Sequence, residues 1–132
     1  MLAENTVLTG RRAITRSYAK INLTLDVLSK RENGYHDIKM IMQTVSLFDL
    51  ILVDKTHRGI SISTNLPYLP CNEKNIAYKA ADAFFKATGI RGGAKIVIHK
   101  NIPVAAGLAG GSGNCAAVLT AINMLHGNPL SN

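Results

Sequence analysis

Cysteine is scarce in this sequence, with two residues in 132, and tryptophan is absent. Cys71 and Cys115 lie far apart and without a C-x-x-C spacing, which argues against a zinc motif and a disulfide framework. We expect each to be a small apolar side chain in a reducing compartment. No apolar run is long enough for a membrane span, and residues 1–13 lack the apolar core of a secretory signal. We therefore predict a cytoplasmic protein in which residues 1–13 are a loose basic leader.

Acidic residues are also scarce, since eight Asp and Glu stand against fifteen Lys and Arg, for a net charge of +7. This surplus favours an anionic partner, either a phosphorylated metabolite or a nucleic acid. Only Arg11-Arg12 and Lys30-Arg31 form adjacent basic pairs, so a nucleic acid is the weaker alternative. The length, with 47% apolar residues, predicts one globular domain.

Apolar and polar residues alternate over residues 14–28, which predicts a strand with Lys20 and Asn22 on its polar face. The dipeptide Asn33-Gly34 predicts the turn that follows. Asp49 interrupts the next apolar stretch, so we expect two short strands there rather than one. Further strands are predicted at residues 38–47, 50–54, 60–64 and 94–99, the third pairing with the second.

Helical spacing of apolar residues predicts helices over residues 73–88 and 112–126. Gly89 is suited to end the first helix, and Gly127 with Pro129 to end the second. The order of strands, helix, strand, loop and helix is typical of an α+β fold rather than of a strict alternation.

A glycine-rich loop over residues 103–114 lies between the last strand and the last helix. Residues without a Cβ let the backbone approach a ligand, and a helix that begins there directs its free N–H groups into the loop. The loop matches neither the Walker A pattern nor G-x-G-x-x-G. It predicts a phosphate-binding site, with an ordinary structural turn as the alternative. Ser112 is suited to cap the helix, to meet a phosphate oxygen, or both.

Lys20 and Asn22 lie two residues apart on one strand face, so their side chains are placed to converge on one ligand. The alternative for Lys20 is a solvated surface lysine. Tyr35 and His36 follow the predicted turn and offer a ring for stacking and an imidazole for hydrogen bonding. Their alternative is a half-buried tyrosine beside an exposed histidine. The other three histidines show no metal-ligand spacing, and we assign them no role.

Three segments together resemble the N-terminal part of the GHMP kinases, the family of galactokinase, homoserine kinase and mevalonate kinase. They read AKINLTL at residues 19–25, RENGYH at 31–36 and PVAAGLAGGS at 103–112. The resemblance covers residues 14–132 and implies a ribosomal-protein-S5-domain-2-like N-terminal domain. It also implies a C-terminal ferredoxin-like domain, which these residues do not include.

The AKINL and GYH segments resemble the family member that uses ATP, with Mg²⁺, to phosphorylate the 2-hydroxyl of a cytidine diphosphate conjugate of methylerythritol, a step of non-mevalonate isoprenoid synthesis. By this resemblance Lys20 is catalytic, and Asn22, Tyr35 and His36 bind substrate, the last two by holding the cytosine. The resemblance assigns the following residues to ATP: Asn75, Lys100, Pro103, Val104, Ala105, Ala106, Gly107, Leu108, Ala109, Gly110, Gly111, Ser112 and Gly113.

Two departures from the family pattern matter. Gly113 stands where the family usually has a second serine, so we expect a weakened phosphate contact. The family's catalytic aspartate falls beyond Asn132, so we expect an N-terminal fragment with little turnover by itself. The alternative is a catalytically inactive nucleotide-binding remnant or scaffold. We also expect apolar surface to be exposed, through which copies of the chain could associate.

Overall fold

Two long antiparallel strands, β2 (Arg12–Lys30) and β3 (His36–Thr56), dominate the computed structural model, which describes residues 3–131. A single 3-10 turn (Ala3–Asn5) comes before the first strand. The remaining elements are β1 (Thr6–Thr9), β4 (Gly59–Thr64), α1 (Ile76–Thr88), β5 (Gly93–His99) and α2 (Gly110–Leu125). The strand order is β1-β2-β3-β5-β4, and only the β4–β5 pair is parallel. This arrangement confirms the α+β class.

The hydrophobic core lies between this sheet and the two helices. Ile51 and Ile96 of the sheet are fully buried, and Phe84 of α1 and Ile122 of α2 are 1% exposed. Alanines on both helices complete this cluster, and such small side chains let the helices and the sheet approach closely. The core therefore fixes the ends of β5 and α2, between which the glycine-rich loop lies.

The outer half of the β2–β3 hairpin leaves the core. We call residues 21–44 the hairpin arm. Every residue from 21 to 36 is exposed, including Leu23 at 57% and Val27 at 60%. The ladder shifts register between Tyr18 and Lys20, between Asn22 and Thr24, and between Val27 and Ser29. Such bulges bend a strand and break its strict alternation. The predicted strand is confirmed. The arm carries exposed apolar side chains, and association of copies of the chain through them stays a prediction.

The strand pairing differs from the prediction at two places. Asp49 does not interrupt the strand, because its buried carboxylate accepts hydrogen bonds while β3 continues through it. The prediction that residues 60–64 pair with residues 50–54 is wrong, since β4 pairs with β5 instead. Parallel neighbours need a long crossover, and α1 with its flanking loops supplies it.

The helix starts also differ from the prediction. α1 begins at Ile76, and the Asn75 side chain caps it by accepting a hydrogen bond from the Ala77 N–H at 2.9 Å. α2 begins at Gly110, so Ser112 is not its N-cap. The N-cap is Ala109, which has a left-handed backbone and makes no side-chain capping bond. The Ser112 hydroxyl instead donates back to the Ala109 carbonyl at 3.3 Å.

The segment that we predicted to be a loose leader takes part in the sheet. Its strand β1 pairs with residues 12–15 of β2, and the Thr6 hydroxyl donates to the Thr15 hydroxyl at 2.9 Å. The sequence suggested looseness because this strand is short and lacks a clear apolar alternation. Within residues 3–131, no helix has both the length and the apolar character needed to cross a membrane.

Candidate functional site

A cavity of about 410 Å³ lies against the glycine-rich loop. That volume falls in the range of small-molecule sites. Part of its wall comes from residues 69–76, around the start of α1, and another part from the loop and the first turn of α2. The lining residues are Leu69, Pro70, Lys74, Asn75, Ile76, Ile98, Lys100, Pro103, Val104, Ala105, Ala106, Gly107, Leu108, Ala109, Gly110, Gly111, Ser112 and Asn114.

The loop and the start of α2 form an anion-binding surface. The backbone is left-handed at Ala105 (φ 59°), Gly107 (φ 71°) and Ala109 (φ 60°). This conformation costs an alanine about 1 kcal/mol or more, and such strain concentrates at functional sites. The first N–H groups of α2 have no intrahelical partner, and Ala109 supplies no capping side chain. These N–H groups and the positive end of the helix dipole are therefore available to a phosphate.

The backbone before the loop is held from two sides. The carboxylate of Asp49 forms a buried ion pair with Lys100 and accepts from the N–H of Asn101 at 2.7 Å and of Ile102 at 2.8 Å. The Asn65 amide group bridges the main-chain N–H and C=O of Lys100 at 2.7 and 3.1 Å. Lys100 lines the cavity, but its ammonium is paired with Asp49, and its contact with ATP stays a prediction.

The structure brings Lys20 to the loop and Asn22 to Lys20. The main-chain N–H of Lys20 donates to the Leu108 carbonyl at 3.1 Å. The ammonium of Lys20 donates to the amide oxygen of Asn22 at 3.2 Å. Neither side chain lines the cavity, so the two lie beside the loop rather than inside the pocket. The two side chains contact each other, and their convergence on one ligand stays a prediction.

Tyr35 and His36 lie at the far end of the hairpin arm. Tyr35 is 74% exposed, and His36 pairs with Lys30 at the first position of β3. Along a straight strand, the ten residues from Lys20 to Lys30 would span roughly 33 Å. The two bulges bend this path, but the structure does not bring Tyr35 and His36 to the cavity. Their binding of cytosine stays a prediction.

Gly113 lies outside the cavity lining and packs against β2. A Cβ at this position would come within 2.6 Å of the Ser17 hydroxyl. Glycine here therefore lets α2 approach the strand closely. The Ser17 Oγ and the Asn114 Oδ1 are buried and have no hydrogen-bond partner. Asn114 is also one of the residues that line the cavity.

Six lining residues are not among those assigned to ATP from the sequence, although the last of them ends the predicted loop, namely Leu69, Pro70, Lys74, Ile76, Ile98 and Asn114. The helical repeat could have found Asn114, because it lies four residues after Gly110 and hence on the same side of α2. The stretch from 69 to 76 carried no such signal. It reaches the cavity only because the Asn75 cap and the crossover place α1 beside the loop.

Comparisons with known proteins agree with this geometry. Residues 75–132 match the family model described as GHMP kinases N terminal domain. The chain is 55% identical over 106 residues to 4-diphosphocytidyl-2-C-methyl-D-erythritol kinase of Clostridium kluyveri, covering 80% of this chain and 38% of that protein. The same kinase of Caldicellulosiruptor saccharolyticus is 52% identical over 119 residues, covering 89% of this chain and 41% of that protein.

Solved structures give the same result. A crystal structure of 4-(cytidine 5'-diphospho)-2C-methyl-D-erythritol kinase matches with a TM-score of 0.79 and 36% identity, covering 89% of this chain and 42% of that one. The mevalonate kinase of Methanococcus jannaschii shares the fold, with a TM-score of 0.66 at 17% identity over 94% of this chain and 43% of that one. The chain spans about two fifths of the length of these curated relatives. It belongs to the GHMP kinase family, over the N-terminal part of its members.

Proposed function

We propose that this chain forms the ATP-binding part of a kinase that phosphorylates the 2-hydroxyl of 4-diphosphocytidyl-2-C-methyl-D-erythritol. The observation that carries the proposal is the cavity walled by the glycine-rich loop and the uncapped start of α2. Such a wall suits the phosphates of a nucleotide. The names of the relatives support the choice of the acceptor alcohol.

The phosphates would lie against the main-chain N–H groups of the loop and of the first turn of α2. The base and ribose would lie against the wall around Asn75, which has an apolar component from Leu69 and Ile76. Lys20 is joined through its backbone to the loop at Leu108. Its ammonium would stabilise the charge of the transferring phosphoryl group, which is the main contribution a protein makes to this reaction.

Asn22 accepts a hydrogen bond from the Lys20 ammonium at 3.2 Å and would contact the acceptor alcohol. Tyr35 would stack on the cytosine of the substrate, and His36 would hydrogen-bond to it. Both side chains are exposed on the hairpin arm, so a ligand can reach them. Their distance along the arm from Lys20 requires an extended substrate or a bend of the arm, to which the bulges are suited.

Mg²⁺ would accompany the nucleotide. Among residues 3–131 there is no cluster of three or more His, Cys, Asp or Glu side chains that could hold a metal. Mg²⁺ commonly binds through substrate phosphates and retained waters with few protein ligands, so this donor set fits. Ser112 is exposed and lines the cavity, so its hydroxyl would contact the ion. The ion would neutralise charge on the phosphates.

Two experiments test the proposal. Calorimetric titration of the 132-residue chain with ATP and Mg²⁺ tests binding. Turnover is tested in a chimaera in which residues 1–132 are followed by the remaining part of the Clostridium kluyveri relative. We expect Lys20→Met to lower kcat about a hundredfold or more, and the matched control Lys79→Met, an exposed lysine of α1, to leave it unchanged.

The outcomes separate two candidate functions. A chain that binds ATP without turnover, beside a chimaera that makes phosphorylated product, supports the kinase. The cavity lining, to which neither Lys20 nor Asn22 contributes, favours one other candidate, a nucleotide-binding domain without catalytic activity. That candidate predicts ATP binding by the chain and no product from the chimaera. If neither the chain nor the chimaera binds ATP, both candidate functions are refuted.

A further inference from the structure

A group of three polar residues holds the C-terminal end of β5, directly before the glycine-rich loop. We call Asp49, Asn65 and Lys100 the β5 clamp. Asn65 comes from the end of β4 and bonds the backbone of Lys100 on both its N–H and its C=O. Asp49 comes from β3 and bonds the Lys100 ammonium. Lys100, at the end of β5, is therefore bonded from the side of both strands that flank β5.

Asp49 also accepts hydrogen bonds that a partner strand would otherwise accept, at the point where the chain after β5 leaves β3. The last paired residues of these strands are Leu50 and His99. Beyond them the N–H groups of Asn101 and Ile102 have no partner strand and donate to one oxygen of the Asp49 carboxylate at 2.7 and 2.8 Å. Buried N–H groups need such partners. One carboxylate thus fixes the course of the chain into the loop.

The same contacts reach the start of α2. A Cβ on Gly110 would lie 3.1 Å from the Lys100 ammonium and 3.1 Å from the Ile102 side chain. The first residue of α2 therefore rests on the two residues whose positions Asp49 sets. The loop between them includes the left-handed alanines 105 and 109, and strained residues persist only where their surroundings are fixed.

We propose that Asp49 is a positioning residue for nucleotide phosphates, acting through Lys100 and Ile102 on the loop and the first turn of α2. This inference rests on the proposed function, in which the phosphates bind at those N–H groups. Asp49 is fully buried and the Lys100 side chain is 5% exposed. Hence Asp49 itself does not touch the nucleotide, and the Lys100 ammonium is committed to Asp49.

The inference predicts a selective effect on phosphate binding. The affinities of the 132-residue chain for ATP and for adenosine are measured by titration calorimetry, for wild type, Asp49→Ala and Asp49→Asn. Asp49→Ala should weaken ATP binding about tenfold or more, while adenosine binding changes less than about twofold. Asp49→Asn keeps an oxygen that can accept from Asn101 and Ile102, so we expect an intermediate loss for ATP. Asp54→Asn is the matched control, because Asp54 lies on the same strand and pairs with Arg12 away from the loop.

Each outcome decides the matter. A selective loss of ATP binding in Asp49→Asn, in a variant that still melts cooperatively, supports the inference even where Asp49→Ala does not fold. Equal weakening of ATP and adenosine binding, or no change in either, overturns it. An Asp49→Asn chain without a cooperative melt assigns Asp49 to stability alone and also overturns it. A wild-type chain that binds no ATP refutes the proposed function first, and the inference with it.

Discussion

The contact between Gly113 and Ser17 makes a quantitative prediction about how α2 packs on β2. Gly113 lies inside α2, where alanine is favoured over glycine by up to about 1 kcal/mol. A Cβ there would come within 2.6 Å of the Ser17 Oγ, and overpacking a buried contact costs about 1–3 kcal/mol. We therefore expect Gly113→Ala to lower the free energy of unfolding by about 1 kcal/mol.

Removing the Ser17 hydroxyl should reverse the sign. Ser17 is 1% exposed and its Oγ has no hydrogen-bond partner, so Ser17→Ala should stabilise the chain by about 1 kcal/mol. In that background the nearest other atom to the new Cβ is the Tyr18 carbonyl oxygen at 4.0 Å. Gly113→Ala should then stabilise by about 1 kcal/mol, which makes the coupling between the two substitutions about 2 kcal/mol.

The assay is a double-mutant cycle by urea denaturation, with the slope of each transition checked against wild type. Ser61→Ala is the control for the serine, because Ser61 is an exposed residue of β4. Gly111→Ala is the control for the glycine, since a Cβ there meets nothing within 4 Å. If Gly113→Ala changes the free energy of unfolding equally in both backgrounds, within about 0.5 kcal/mol, steric exclusion is not the reason for glycine at this position.

Three further predictions concern stability and surface. Burial between two phenylalanine rings, at centroid distances of 5.5 and 5.7 Å, lowers the pKa of His126 from its ordinary 6.5, with Lys55 adding to the effect. The unfolded chain then binds the proton more readily, so the free energy of unfolding should fall as the pH drops below 6.5 and stay level above it. The His126→Gln variant should flatten that profile in urea melts at several pH values. Gly93→Ala should abolish cooperative thermal unfolding or lower the free energy of unfolding by about 3 kcal/mol or more, because its Cβ would lie 2.1 Å from the Gly59 carbonyl oxygen. The control is Gly92→Ala, which should melt near wild type, because the nearest atom to a Cβ at Gly92 is 3.5 Å away. Leu25 and Val27 of the hairpin arm are 49% and 60% exposed. Replacing either with lysine should reduce self-association in sedimentation velocity without changing the melting temperature. Association that neither substitution changes would place the contact elsewhere.

The features that the sequence predicted are those encoded by neighbouring residues. The strand around Lys20, the turn after it and the left-handed glycine that ends α1 all follow from short patterns. The glycine-rich loop was found for the same reason. Gly89 is left-handed with φ 66°, as expected of a residue at that position.

The features that the sequence did not predict depend on distant partners. Asp49 was interpreted as a strand break because a carboxylate is unusual in a buried strand. Its partners lie at residues 100–102, more than fifty positions away, and no local pattern around Asp49 indicates them. The parallel pairing of β4 with β5 was missed for the same reason, since it depends on where the crossover through α1 places the strand.

The position of Lys20 connects these local and distant features. Ala19, one residue earlier, is fully buried, whereas Ile21, one residue later, is 36% exposed, so Lys20 lies where β2 leaves the core. Its backbone bond to Leu108 ties the loop to β2 at the point where the strand meets the core, and precise sites are built on the regular elements of a scaffold. The register shifts between Asn22 and Thr24 and between Val27 and Ser29 lie farther along the arm, away from that bond. Substitutions at Tyr35 should therefore leave phosphate binding unchanged, whereas they should weaken any contact that depends on the arm.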